Sequence, residues 1–250
     1  MRNKVPIIMY HWFRAPGSAP AHHSPQLEIS PERFEEQMRY LKAEGYQTVS
    51  LQDLSISRTH TGDRKCVVIT FDDGTADFCE YAKPILDSYG FKATLFIVTG
   101  FVGGRSDWEL AWGGTVRPLL DWEQIVSLHR EGFEIASHSH RHRRFTELND
   151  KDVWQELITS RDVLANKLGA APGVIAYPQG AYRTRQRRLV KQAGYESAYS
   201  VMLSWKDVFR EDRYSRKRLT VKGTQTLDQF AARLEFASRC PLISTCSDGR

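Results

Sequence analysis

The chain has 250 residues, of which 41% are hydrophobic and 26% charged, with a formal net charge of +5. That composition excludes disordered, collagen-like and disulfide-scaffold classes, and the longest apolar runs, such as VVITF and TLFIV, are too short to cross a membrane. The charge is uneven: residues 139–222 hold 18 Lys/Arg against 9 Asp/Glu, a net +9, while the remainder is −4. An anionic ligand or a solvated basic face fits that half, and nucleic acid is a poor candidate because no nucleic-acid motif accompanies the charge.

The opening MRNKVPIIMYH has a five-residue apolar stretch and no small-residue cleavage site, so it does not read as a secretory signal. A cytoplasmic protein is expected from the chain as given, or an extracellular one if a leader has been trimmed. In chain order, VPIIMY (5–10) predicts a strand. PERFEEQMRYLKAEG (31–45) predicts a helix, with Ser30 as N-cap and Pro31 in its first turn. CVVITF (66–71) is a continuous apolar run, as in a strand covered on both faces. ADFCEYAKPILDSYG (76–90) predicts a helix that Pro84 either kinks or restarts. There follow a strand (92–99), a helix (121–132), a strand (133–137), a long helix (149–169), a strand (174–177), a helix (183–195), a strand (196–202), a last strand (218–221) and a last helix (226–239).

This alternation predicts a parallel sheet, open or closed into a barrel. No linker divides the chain, so residues 1–239 are expected to form one domain, with 240–250 a loose tail. Cys66 and Cys79 read as free thiols in a strand and a helix, and Cys240 and Cys246 as tail cysteines without CxxC spacing. The irregular stretch 101–120, with four glycines and two tryptophans, is long enough to be functional; its tryptophans fit either a cleft rim or packing onto the body.

Costly polar residues fall at one kind of place. His11 follows the first strand, and Asp72 and Asp73 follow CVVITF. His138, His140 and His142 follow FEIAS, and Pro178-Gln179-Gly180 follow VIAY. In a parallel α/β fold all carboxyl ends of strands lie on one side, so four distant segments are expected to converge there. Adjacent carboxylates repel unless a cation separates their roles, although Asp also favours helix N-caps. His138 and His142, four apart, would share one side of a helical turn. Two histidines with one aspartate make a three-ligand metal face with open positions, the pattern of a catalytic zinc site. His140 reads as a supporting or surface residue, and His22, His23, His60 and His129 as solvated.

TFDDG (70–74) with HSHRH (138–142) resembles the first two motifs of the NodB-type polysaccharide deacetylases, carbohydrate esterase family 4, and YPQG (177–180) resembles the third. PIIMYH, RKRLTV and TLDQF look more like the poly-N-acetylglucosamine deacetylase branch. The resemblance implies a distorted (β/α) barrel of about seven parallel strands and one divalent metal, zinc by default, with cobalt, nickel or iron able to take the same face. It implies Asp73, His138 and His142 as ligands, Asp72 as general base, the backbone N–H of Gln179 as oxyanion donor and His11 as general acid. An N-acetylated saccharide, anionic or not, is the implied substrate. Departures are Gln179, where the family usually has Tyr, and the missing arginine before YPQG, for which Arg218 is the substitute candidate to pair with Asp72. Hydrolysis of another amide, or carbohydrate binding without catalysis, are the competing readings.

Overall fold

Runs of apolar residues become parallel strands here because both of their faces are covered, one by the barrel interior and one by helices. The computed structural model describes residues 5–15, 17–18, 24–56, 64–202 and 212–239. Its strands are β1 (Ile7–Tyr10), β2 (Trp12–Phe13), β3 (Glu28–Ile29), β4 (Tyr46–Thr48), β5 (Lys65–Phe71), β6 (Thr94–Ile97), β7 (Glu134–Ser137), β8 (Val174–Ala176), β9 (Ser197–Val201) and β10 (Arg216–Thr220). The helices are α1 (Pro31–Ala43), α2 (Leu51–Ile56), α3 (Lys83–Tyr89), α4 (Trp122–Arg130), α5 (Asp150–Leu168), α6 (Thr184–Gln192) and α7 (Leu227–Arg239).

Seven strands close a parallel barrel in the order β1-β10-β9-β8-β7-β6-β5, because β1 pairs with both β10 and β5; β4 extends the sheet beyond β5. Alternation divides the side chains. Ile7, Val68, Phe96, Ala136, Val174, Ala176 and Tyr199 come from six different strands yet pack on one another, so they fill the barrel. Ile8, Val67, Ile69, Phe71, Leu95 and Ile135 belong to the larger cluster that includes Phe34 and Met38 of α1, Leu86 of α3 and Ile125 of α4. The half-buried Glu134 carboxylate accepts the N–H groups of Leu51 (2.8 Å) and Gln52 (2.8 Å), fastening α2 to β7.

Helix starts follow local chemistry. Ser30 accepts the Arg33 N–H with Pro31 in the first turn of α1, and Asp121 forms a capping box with Gln124 at α4. The 76–90 helix divides: a π-helical turn, Phe78–Ala82, precedes α3, and Pro84 sits in the first turn of α3, where its missing N–H costs nothing. The sequence pattern did not reveal β2, β3, β4 or α2, whose two to six residues are too few to show a period. Cys66 and Cys79 are free, whereas His22, His23, His60, Cys240, Cys246 and the tail 240–250 lie outside the described residues. Among the described residues no helix is long and apolar enough to cross a membrane.

Phe96 is fully buried inside the barrel with the Arg218 guanidinium 4.8 Å from its ring centre. Phe96→Ala should therefore cost about 3–5 kcal/mol. At roughly 2–4 °C per kcal/mol for a chain of this size, thermal unfolding followed by circular dichroism should show a drop of about 6–20 °C.

Candidate active site and metal centre

The two aspartates after β5 are turned apart by backbone geometry. Asp72 is still in register, its N–H donating to the Tyr10 carbonyl at 3.1 Å. Asp73 (φ 72°) and Gly74 (φ 72°) then adopt consecutive left-handed conformations, closed by the Gly74 N–H on the Asp72 carbonyl at 2.9 Å. The left-handed conformation of Gly74 favours glycine, and an added Cβ would also lie 2.9 Å from Ile97 Cδ1, pushing that side-chain end aside. As a result Asp72 faces Arg218 while Asp73 faces the histidines.

The His138–His142 segment is not a helical turn. Ser139 (φ 69°) and His142 (φ 56°) are both left-handed, and this reversal brings the two imidazoles to 4.9 Å between ring centres. The loop is tied down from within: Glu156 of α5, itself buried, accepts the N–H groups of His140 (3.0 Å) and Arg141 (2.7 Å), and the His142 N–H donates to Ser139 Oγ (3.1 Å). His138 Nδ1–H donates to the Ala176 carbonyl at 3.0 Å, which turns the Nε2 lone pair toward Asp73. His140 instead pairs its Nδ1 with Thr99 Oγ1 at 3.0 Å and stands outside the cluster.

Asp73, His138 and His142 are all buried and offer ligand atoms within 4.8 Å of one another. Asp73 Oδ1 lies 3.6 Å from His138 Nε2 and 3.4 Å from His142 Nε2. Bonds of about 2.0–2.1 Å at tetrahedral angles separate ligand atoms by about 3.4 Å, so this spacing suits one divalent cation. Asp73 Oδ1 is buried with no hydrogen-bond donor. Burial, then the neighbouring Asp72 and Glu109 carboxylates, push the Asp73 carboxyl well above its ordinary range. Burial likewise holds the pKa of His138 and His142 below 6.5, so both are neutral, the ligating form. The donor set fits a metal.

Asp72 is held differently. Burial would raise its pKa, but the Arg218 guanidinium more than offsets this and keeps it well below the usual carboxylate range. The pair is bidentate, Nη1 to Oδ1 at 2.5 Å and Nη2 to Oδ2 at 2.7 Å, inside the barrel. His11, between β1 and β2, lines a cleft of about 260 Å³ together with Trp12, Asp73, Glu109, His142, Arg144 and Gln179. Gln179 (φ 56°) is left-handed in a 3₁₀ turn after β8, and its Oε1 accepts the Arg144 Nε–H at 2.7 Å. Every sequence-derived candidate thus lies at the carboxyl ends of the strands or just inside the barrel beneath them.

The 101–120 stretch forms one wall. Thr75 bridges Leu119, Arg105 bridges Pro118, and Arg117 binds Glu28 at 2.6 Å while lying 4.1 Å over the Trp12 ring. Trp108 is buried against His142, with ring centres 4.9 Å apart, so it packs onto the body beside the ligand face. Sequence reasoning passed over Glu156; it left open whether Trp108 rims a cleft or packs onto the body, and whether the basic half that holds Arg144 meets an anionic ligand or solvent. The only available signal for Glu156 was an acid on the inner face of a long helix, a position with no intrinsic meaning before packing.

The family description "Polysaccharide deacetylase" matches residues 59–198. Bacillus subtilis YxkH, provisionally named a polysaccharide deacetylase, is 29% identical over 77% of this chain and 63% of its own length. A Staphylococcus aureus protein named poly-beta-1,6-N-acetyl-D-glucosamine N-deacetylase is 25% identical over 69% of this chain and 61% of its own. The chain therefore spans less than two thirds of the length of these curated relatives. Among solved structures, Streptococcus pyogenes deacetylase PplD shares the fold with a TM-score of 0.75 and 22% identity, covering 94% of this chain and 99% of PplD. IcaB from Ammonifex degensii gives 0.70 and 20%, covering 94% and 98%.

Burial lowers the His11 pKa from 6.5 to about 4. Between these values the unfolded chain binds a proton that the folded state refuses, so this contribution is present above about pH 6.5 and lost as pH falls to about 4. His11→Asn should flatten the fall in stability across that window, measured by urea unfolding of metal-free protein at several pH values. An unchanged slope would contradict the buried neutral imidazole.

Proposed function

Because the chain belongs to the polysaccharide deacetylase family, we propose that it is a metal-dependent hydrolase that removes N-acetyl groups from an amino sugar or N-acetylated saccharide, with Asp72 as base and His11 as acid. The observation that carries this reading is the convergence of Asp73, His138 and His142 within 4.8 Å, beside a second, arginine-held carboxylate, at the base of a cleft that Asp73 and His142 line. The three would hold one divalent cation, zinc first by ligand chemistry, with cobalt, nickel or iron also suited. When bound, such a cation lowers the pKa of water and polarises the acetamido carbonyl.

The chain's own residues supply the rest. Arg218 keeps Asp72 ionised and fixes the plane of its carboxylate, so an acceptor for the proton of the attacking water is always present. The backbone N–H of Gln179 is assigned to the developing oxyanion, on the ground that Gln179 lines the same cleft as Asp73 and His142. The amide C–N bond breaks as the new C–O bond forms, and the departing amine needs a proton. His11 stands neutral at neutral pH, so as acid it first takes up a proton, either from solvent or from the attacking water by way of Asp72, and then passes it to the departing nitrogen. The name of the staphylococcal relative makes β-1,6-linked N-acetylglucosamine the first substrate to try, and Arg144 on the cleft wall suits an anionic group on the saccharide. Residues 1–239 are proposed as the single catalytic domain.

Acetate release from a β-1,6-linked N-acetylglucosamine oligomer should require divalent metal, cease with a chelator and return with zinc or cobalt. Asp72→Asn should lower kcat by roughly 10²-fold or more with one metal still bound; unchanged turnover would sink the base assignment. His11→Ala should lower kcat by roughly 10²–10³-fold without metal loss. Loss of metal from that variant would contradict its role as acid.

A further inference from the structure

Asp77 is a carboxylate for which this chemistry has no use. It begins the π-helical turn Phe78–Ala82, where an aspartate ordinarily caps, yet its side chain makes no capping hydrogen bond. Both oxygens are engaged elsewhere. Oδ2 accepts the Phe13 N–H at 2.7 Å, and Oδ1 accepts the Thr75 hydroxyl at 2.5 Å. Phe13 is two residues beyond His11, and Thr75 two residues beyond Asp73.

The sheet cannot make this connection. The β1–β5 ladder ends at the Tyr10–Phe71 pair, followed by the Asp72 N–H on the Tyr10 carbonyl at 3.1 Å. Beyond that point the two chains leave the barrel, one carrying His11 and the other Asp72 and Asp73. On its other side the first chain pairs Trp12 and Phe13 with Glu28 and Ile29 of β3, a segment that carries none of the proposed catalytic groups. Asp77 therefore ties the two reacting segments together a second time. It closes a ring of main chain in which His11, Asp72 and Asp73 are bracketed by the Tyr10–Asp72 link and the Phe13–Asp77 link.

We propose that Asp77 is a positioning residue that holds the His11 segment against the Asp72-Asp73 turn, so that the acid and the base stand on opposite sides of one reacting centre. This rests on the reading of His11 as the acid. Displacement of a reacting group by 1 Å costs on the order of 10²-fold in rate, so a single side chain in this place matters to turnover.

A double-mutant cycle on the zinc-loaded full chain tests it, with acetate release from a β-1,6-linked N-acetylglucosamine oligomer as readout. Asp77→Ala should lower kcat by about tenfold or more where His11 is present, and by less than about twofold in the His11→Ala background, with one metal bound throughout. Asp77→Asn should keep turnover within about threefold, because Oδ1 still accepts the Phe13 N–H while Nδ2–H donates to Thr75 Oγ1. Should Asp77→Ala fail to fold, Thr75→Val removes one of the two ties and should show a smaller loss with the same dependence on His11. Equal losses in both backgrounds, or loss of metal from Asp77→Ala, overturn the positioning role. Full turnover in His11→Ala alone instead overturns the reading of His11 as acid, and the proposal falls with it.

Discussion

The buried pair between Arg218 and Asp72 is the interaction on which the interior of this barrel depends. It joins β10 to the end of β5 inside the closed sheet, with the guanidinium also reaching Thr70 Oγ1 at 3.3 Å and lying over Phe96. Removing one member of such a pair leaves an unpaired buried charge and costs about 3–5 kcal/mol, whereas the intact pair contributes little net stability beyond its hydrogen bonds. Its value lies in placement. A carboxylate that is bidentate on a fixed arginine has one orientation and one charge state, and the neighbouring Asp73 is left to carry the electrostatic burden that a cation relieves.

Backbone strain is concentrated around the same place. Of the five non-glycine residues with left-handed backbone among those described, Asp73, Ser139, His142 and Gln179 belong to the strand-end loops of the site, and the fifth, Ser24, lines its cleft. Such conformations cost of order 1–3 kcal/mol each and persist only where the surroundings overdetermine them. Here the surroundings are specific: the Gly74 turn, the Glu156 carboxylate beneath the histidine loop and the Arg144–Gln179 contact. The barrel and α5 thus hold a loop geometry that the loops alone would not adopt.

The basic half of the chain resolves into unlike parts. Arg185 pairs with Asp150, Arg187 with Asp212 and Arg218 with Asp72, so these three charges serve local pairing. Arg141 and Arg143 are exposed, and Arg144 binds Glu147 and Gln179 while facing the cleft. A net charge counted along the sequence therefore overstates the cationic surface, and among the described residues Arg144 is the basic side chain of that half that lines the cleft.

By itself the sequence determined the alternation of strands and helices, and hence that His11, Asp72, Asp73, His138, His142 and Gln179 must gather on one side of a parallel sheet. Period and chain direction carry that information residue by residue. It did not determine how the histidines are turned: their spacing of four suggested a helical turn, and two left-handed residues produced the meeting instead. Nor could it reveal what Glu156 or Asp77 do, or which packing Trp108 takes, because the partners that decide this, His140, Phe13 and His142, lie between 16 and 64 residues away and come within reach only when the barrel closes. Short strands such as β2 and β3 were silent for the same reason, since two residues carry no period and exist only as pairings. Closure of seven strands decided all of these, because it brings β10 beside β1 and so places Arg218 against Asp72.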